Sequence, residues 1–77
     1  MKKSTRKNKK YMVLTPNNEW VHFGDSRYQH FKDNTPLKLY KHLDHNDPER
    51  RRLYQLRHAK TALKKYSPSY YAYNYLW

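Results

Sequence analysis

Between Asp44 and His58 the chain reads DHNDPERRRLYQLRH, a run that offers two kinds of chemistry. The first is recognition of oxyanions. Arg50, Arg51, Arg52 and Arg57, with Lys64 and Lys65 beyond them, supply guanidinium and ammonium groups, and the planar guanidinium fork donates two parallel hydrogen bonds to phosphate and carboxylate alike. Tyr54 stands among these cations, where its ring would stack on an unpaired base or be partly covered by the next element. The second is metal binding, since His42 and His45 flank Asp44, with Asp47 and His58 further on. A His-x2-His pair gives two ligands, whereas structural zinc takes four and favours thiolates, and this chain has no cysteine. Asp44 and Asp47 are better used capping a helix or pairing with Arg51 and Arg52, so no metal or other cofactor is expected. A nuclease built on His45, Asn46 and His58 matches no defensible order or spacing, and no enzymatic activity is expected.

These groups need a scaffold, and Asp47-Pro48-Glu49 begins one. An Asp cap, a proline at the first helical position and a following Glu predict a helix from Pro48 to about Lys65. At about 100° per residue, Leu53, Leu56, Ala59, Ala62, Leu63 and Tyr66 fall on one half of it, read as the core face; the other half is basic. Ser67-Pro68 breaks the helix. The following SYYAYNYLW is read as an extended aromatic tail, with Tyr71, Tyr73, Tyr75 and Trp77 on one side, folding back over the rest.

Upstream, YMVLT and WVHF read as strands of a β-hairpin turned at Asn17-Asn18. A two-residue turn sets Met12 against Phe23 and Leu14 against Val21 on the core face, with Val13 against His22 and Thr15 against Trp20 outside. Gly24 is the single glycine and suits a left-handed turn at the strand end. Thr35-Pro36 predicts a short helix with Leu39 and Leu43 on one face. Residues 1–10 carry Lys2, Lys3, Arg6, Lys7, Lys9 and Lys10 without apolar periodicity and read as a basic arm outside a single α+β domain at 11–77: hairpin, short helix, longer basic amphipathic helix, extended tail.

Seventeen Lys plus Arg against six Asp plus Glu leave a formal charge of +11, so an acidic partner is expected. A mean hydropathy of -1.40 would suit a disordered chain, but 17% aromatic residues demand burial. No apolar run reaches the length of a signal peptide core or a membrane span, and a soluble intracellular protein is expected. No helix-turn-helix, zinc-finger or RNA-binding consensus is present, which argues against specific base readout.

The segments HFGDSRYQHFKD and HLDHNDPERRRLYQLRHAK and the terminal YLW resemble a family of small, basic, uncharacterised proteins encoded by large nucleocytoplasmic DNA viruses. The matching positions are Phe23, Gly24, Tyr28, Phe31, Asp44, His45, Asp47, Arg51, Arg52, Tyr54, Arg57, His58, Leu76 and Trp77; SPSYYAYNY departs from the pattern. The resemblance implies a viral source, and the expected location is the virion, with host cytoplasm or nucleus during assembly. The expected function is a non-enzymatic minor capsid component that bridges capsid proteins through Arg–carboxylate pairs and the aromatic tail. The alternative is a sequence-independent nucleic-acid-binding protein packaged with the genome. Neither reading involves a membrane or a small-molecule substrate.

Overall fold

Residues 9–14 and 20–25 form two antiparallel strands, β2 (Lys9–Leu14) and β3 (Trp20–Asp25), in the computed structural model, which describes residues 1–77. A two-residue strand, β1 (Lys2–Lys3), pairs with the outer edge of β2, giving a three-stranded sheet in the order β1-β2-β3. The free basic arm expected over residues 1–10 is thereby corrected. Lys2 pairs with Met12 and Lys3 with Tyr11, Asn8 takes φ 64 in the intervening turn, and Lys9 and Lys10 belong to β2 itself. Backbone pairing along the open edge of β2 does not require side-chain periodicity, so the basic residues can join the sheet.

The hairpin is present, but its register differs from expectation by one residue. Tyr11 faces Phe23, Met12 faces His22, Val13 faces Val21 and Leu14 faces Trp20. The turn is the reason. The Asn18 N–H donates to the Thr15 carbonyl at 2.9 Å and the Thr15 N–H to the Glu19 carbonyl at 2.8 Å, with Asn18 at φ 64. Pro16, whose ring pre-sets φ for the second turn position, thus draws a three-residue loop rather than the two-residue turn. A one-residue slip turns one strand over. Tyr11 replaces Met12 in the core, Val13 and Val21 pack against it, and Leu14 and Trp20 are 46% and 43% exposed on the other face.

The helix expected after Thr35 is reduced to a 3-10 turn at Lys41–Leu43. Thr35 does use its hydroxyl as a cap, accepting from the Lys38 N–H at 3.1 Å, but Lys38 then takes φ 50 and the helix cannot propagate. Helix α1 (Pro48–Ala62) starts as predicted, with the Asp47 carboxylate accepting from the Glu49 and Arg50 N–H groups. It ends three residues before the expected Lys65. Tyr66 at φ 67 turns the chain, and Ser67 then caps a second helix, α2 (Pro68–Tyr75), by accepting from the Tyr70 N–H at 3.2 Å. The extended aromatic tail is therefore corrected to a helix: Ser-Pro acted as a start signal as well as a stop.

The tail does fold back on the sheet. Tyr71, Ala72 and Leu76 join Tyr11 and Phe23 as the buried apolar core, with Phe23 and Tyr71 ring centroids 5.6 Å apart. A radius of gyration of 11.8 Å is close to the ~11.5 Å of a well-packed chain of this length. The fold is thus a small α+β domain, an N-terminal antiparallel sheet followed by two helices.

The leucine stripe of α1 is the largest correction. Leu53, Leu56 and Leu63 are 46%, 66% and 80% exposed, Tyr66 is 36% exposed, and no α1 residue is fully buried. The helix instead lays Tyr54 and Gln55 against Trp77 of the C-terminal segment. Stacking and hydrogen bonds to Trp77 attach that side, and the aliphatic side is left outward.

Candidate functional site

Half of the ten buried residues are polar: Lys10, Thr15, His30, Asp33 and Thr35. Such groups persist only when hydrogen-bonded, and four of them are gathered into two linked networks under the sheet. In the first, Asp33 accepts from the Thr35 N–H at 2.9 Å, the Thr35 hydroxyl at 2.6 Å, the Tyr40 N–H at 3.1 Å and the Tyr11 hydroxyl. Burial alone would raise the Asp33 pKa, but these donors, Thr35 and Tyr11 foremost, hold it below the usual carboxylate value. Tyr11 is pushed the other way, to about 12, by burial and by the Asp33 carboxylate.

The second network is a chain. The Lys10 ammonium donates to the Tyr28 carbonyl at 3.0 Å and to His30 Nδ1 at 2.8 Å, and His30 Nε2–H donates to Asp44 Oδ1 at 2.5 Å. Asp44 also accepts from the Asp33 N–H at 2.8 Å, which joins the two networks. Burial, then the neighbouring Lys10 charge, lowers the His30 pKa and keeps the imidazole neutral, consistent with Nδ1 as acceptor. Lys10 itself is lowered to about 8 by burial, against the attraction of Asp25, Asp33 and Asp44. A Lys–His–Asp series has the ingredients of a proton relay, but His30 is sealed completely and Lys10 is 2% exposed, so it meets no substrate and serves to lock residues 28–44 to β2.

The histidines read as possible metal ligands part company. His42 is exposed, His58 lies on α1 stacked on Tyr54 with centroids 4.2 Å apart, and His45 Nδ1 accepts from the Asp47 N–H at 2.9 Å. Asp44 serves His30, and Asp47 caps α1. No three His, Asp or Glu side chains converge as a metal site.

The arginines divide in the same way. Arg51 lies 4.8 Å over the Phe31 ring and its Nε donates to the Trp77 main-chain oxygen at 2.8 Å. Arg52 pairs with Glu49, one turn back, at 2.5 Å, rather than with Asp44 or Asp47. Arg50 donates to Gln29 at 3.0 Å, and Arg57 has no hydrogen-bond or ion-pair partner. Of the four, Arg50 and Arg57 thus face the cleft between β2, β3, α1 and the C-terminal segment, along with Lys9, Lys10 and His58. Tyr54 is covered on both ring faces, by His58 and by Trp77, so it is closed to a nucleic-acid base. Its burial raises the phenol pKa.

The remaining predicted residues scatter. Lys2, Lys3, Arg6 and Lys7 are exposed around β1 and its turn, with Lys2 5.3 Å over the Trp20 ring. Tyr71 and Tyr75 pack on Phe23, Trp77 on Tyr54. Tyr73 instead borders an apolar groove of ≈ 400 Å³ between α1 and α2, with Ala59, Ala62, Leu63, Tyr70 and Lys65; Lys64 is exposed beside it. Sequence reading missed Lys10, His30 and Asp33 as buried partners. Asp33 two residues before Thr35 is a side-chain turn signal that could have been read. The Lys10–His30 contact spans 20 positions and left no local trace.

No curated protein and no solved structure matches the chain. The model of a family of unknown function, DUF5754, matches residues 1–58 of the 77, from β1 through the buried networks to His58 on α1, and the chain belongs to that family.

Proposed function

We propose that the protein is a non-enzymatic structural protein of a large DNA virus, a minor virion component that bridges capsid proteins. The observation that carries the reading is the outward row of Leu53, Leu56 and Leu63, continuous with the groove between α1 and α2. Leaving these three partly exposed leucines in water forgoes roughly 1–2 kcal/mol each, the uncovered share of full burial, that an apolar partner would recover. Lys60 stands between Leu56 and Leu63, Lys64 and Lys65 follow Leu63, and none of the three carries an ion pair within the chain. Leucines with lysines among and beside them fit a partner surface that is both apolar and acidic. A second copy of the same surface would bring like charges together, and duplex DNA offers no apolar face for leucine. The viral setting is supported by the resemblance of the segments HFGDSRYQHFKD and HLDHNDPERRRLYQLRHAK and the terminal YLW noted above.

One feature favours the alternative, a sequence-independent nucleic-acid-binding protein packaged with the genome. Six carboxylates offset only part of seventeen Lys and Arg, leaving +11, and only two arginines hold carboxylates in ion pairs. Sorting disrupted virions into capsid and genome-core fractions tests the choice. The structural reading requires the protein in the capsid fraction, with Leu53→Ser/Leu56→Ser/Leu63→Ser excluded from particles. Recovery with the genome core, together with duplex DNA binding that persists near physiological salt, would reverse it.

A further inference from the structure

The ends of β2 and β3, the inner side of α1 and the C-terminal segment enclose a cleft of ≈ 570 Å³, within the ~300–1,000 Å³ range of small-ligand sites. Lys9, Arg50, Arg57 and His58 line it, and Lys10 borders it from beneath. One carboxylate, Asp25, lies on the wall, and it is already engaged. Arg27 holds its two oxygens at 3.1 and 2.8 Å and adds a main-chain N–H at 2.9 Å, which lowers the Asp25 pKa to about 2. The side chains of Lys9, Arg57 and His58 make no hydrogen bond or ion pair within the chain, and Arg50 makes one, to the neutral Gln29. Cations crowded into a concavity without a counter-charge repel one another; a multivalent anion removes that repulsion and gains charge-assisted hydrogen bonds.

We propose that this cleft is a binding site for an oligophosphate anion. Arg50 and Arg57 supply the guanidinium forks and Lys9 a mobile point charge, a set suited to several phosphates linked in series. The site reads phosphate and not a base, because the Tyr54 ring is covered on both faces by His58 and Trp77. Its α1 residues, Arg50, Tyr54, Arg57 and His58, include none of the three leucines, although Arg50 and Arg57 flank Leu53 at one-turn spacing, so the site does not rest on the capsid-bridging reading.

Titration calorimetry of the full chain with sodium tripolyphosphate at about 0.15 M salt, where surface charges are screened beyond about 8 Å, tests it. One site per chain is expected, with Arg57→Gln and Lys9→Gln each weakening binding about tenfold. Lys64→Gln/Lys65→Gln, which removes more charge outside the cleft, should change affinity less than about twofold by the same screening. A single-stranded oligonucleotide added as competitor identifies the source of the phosphates. Displacement of tripolyphosphate points to a nucleic-acid backbone, and its absence to a free oligophosphate, the site standing in either case. Lack of tripolyphosphate binding by the unmodified chain, or equal weakening by the Lys64/Lys65 variant, overturns the proposal.

Discussion

Trp77 lies flat on Tyr54, with ring centroids 4.1 Å apart and planes within 4° of parallel. This stack, extended by His58 on the far face of Tyr54 and by His45 5.1 Å from Trp77, joins the end of the chain to α1. It also decides the fate of Arg51, whose Nε reaches the Trp77 main-chain oxygen together with Gln55 Nε2. A guanidinium that the sequence offers to a partner is spent within the fold. Helix α1 is consequently attached through aromatic and polar contacts, with its leucines free.

Trp77→Ala should therefore loosen α1 as well as the C-terminal segment. Full burial of a Trp is worth roughly 3–5 kcal/mol on truncation, and for this half-buried ring about 2–3 kcal/mol is expected. Urea unfolding followed by circular dichroism measures it. An unchanged midpoint would show that the stack does not hold α1.

Gly24 has φ 76, and a Cβ there would stand 2.9 Å from Leu76 Cδ1 and 3.0 Å from Lys10 Cδ. Gly24→Ala adds left-handed backbone strain to a close approach between the core leucine and the buried lysine stem. A loss of about 2 kcal/mol is expected, since a strained backbone position alone accounts for about 1–3. Thermal melting of the variant at matched concentration measures it, and an unshifted midpoint would contradict both the backbone strain and the close approach.

Gly24 and Lys10 mark the division between what was legible in the sequence and what was not. A left-handed Gly24, the Asp47 cap and the hairpin rest on local backbone chemistry, and each is found in the structure, although β3 runs past Gly24 to Asp25. The register failed because Pro16 and Asn18 together select a longer loop than Asn17-Asn18 alone suggests. The α1 face failed because helical periodicity identifies an apolar stripe without saying what covers it. Tyr11, Lys10, His30 and Asp33 find one another across 20 or more positions, and long-range polar pairing carries no periodic signature.

Asp33 is the hub of that pairing, and Asp33→Ala would strand the Tyr11 hydroxyl, the Thr35 hydroxyl and two main-chain N–H groups in a dry interior. Removal of one side of such a network costs about 3–5 kcal/mol, a large share of the stability of a small domain. The variant should be unfolded or molten by near-ultraviolet circular dichroism. Sharp, dispersed amide resonances in Asp33→Ala would contradict the assignment.

Stability should peak at unusually alkaline pH. The Lys10 amine is lowered to about 8 in the fold against 10.5 ordinarily. Between those values the unfolded chain binds more protons, so stability rises with pH through that window. Tyr11 acts in the opposite sense. Its phenol is held at about 12 against 10.0, the unfolded chain loses that proton first, and stability falls above about 10. A rise of about 2 kcal/mol from pH 8 to a maximum near 10 is expected, at 1.36 kcal/mol per pKa unit. In Lys10→Met the rise should flatten. Equal pH profiles for the two proteins would remove Lys10 from the account.

The leucine row gives the sharpest test of how α1 is used. If Leu53, Leu56 and Leu63 formed a core, truncating each would cost about 2–5 kcal/mol and the triple serine variant could not fold. At 46%, 66% and 80% exposure they bury too little for that. Leu53→Ser/Leu56→Ser/Leu63→Ser should retain the urea midpoint to within about 1 kcal/mol, the scale of surface substitutions together with the lower helix propensity of serine. It should also lower the tendency of the protein to associate or adsorb, because the apolar patch would be gone while Lys60, Lys64 and Lys65 remain. A large fall in stability would return the stripe to the interior and remove the surface on which the capsid-bridging proposal stands. A stable, monomeric variant that no longer enters particles would instead tie that function to these three side chains.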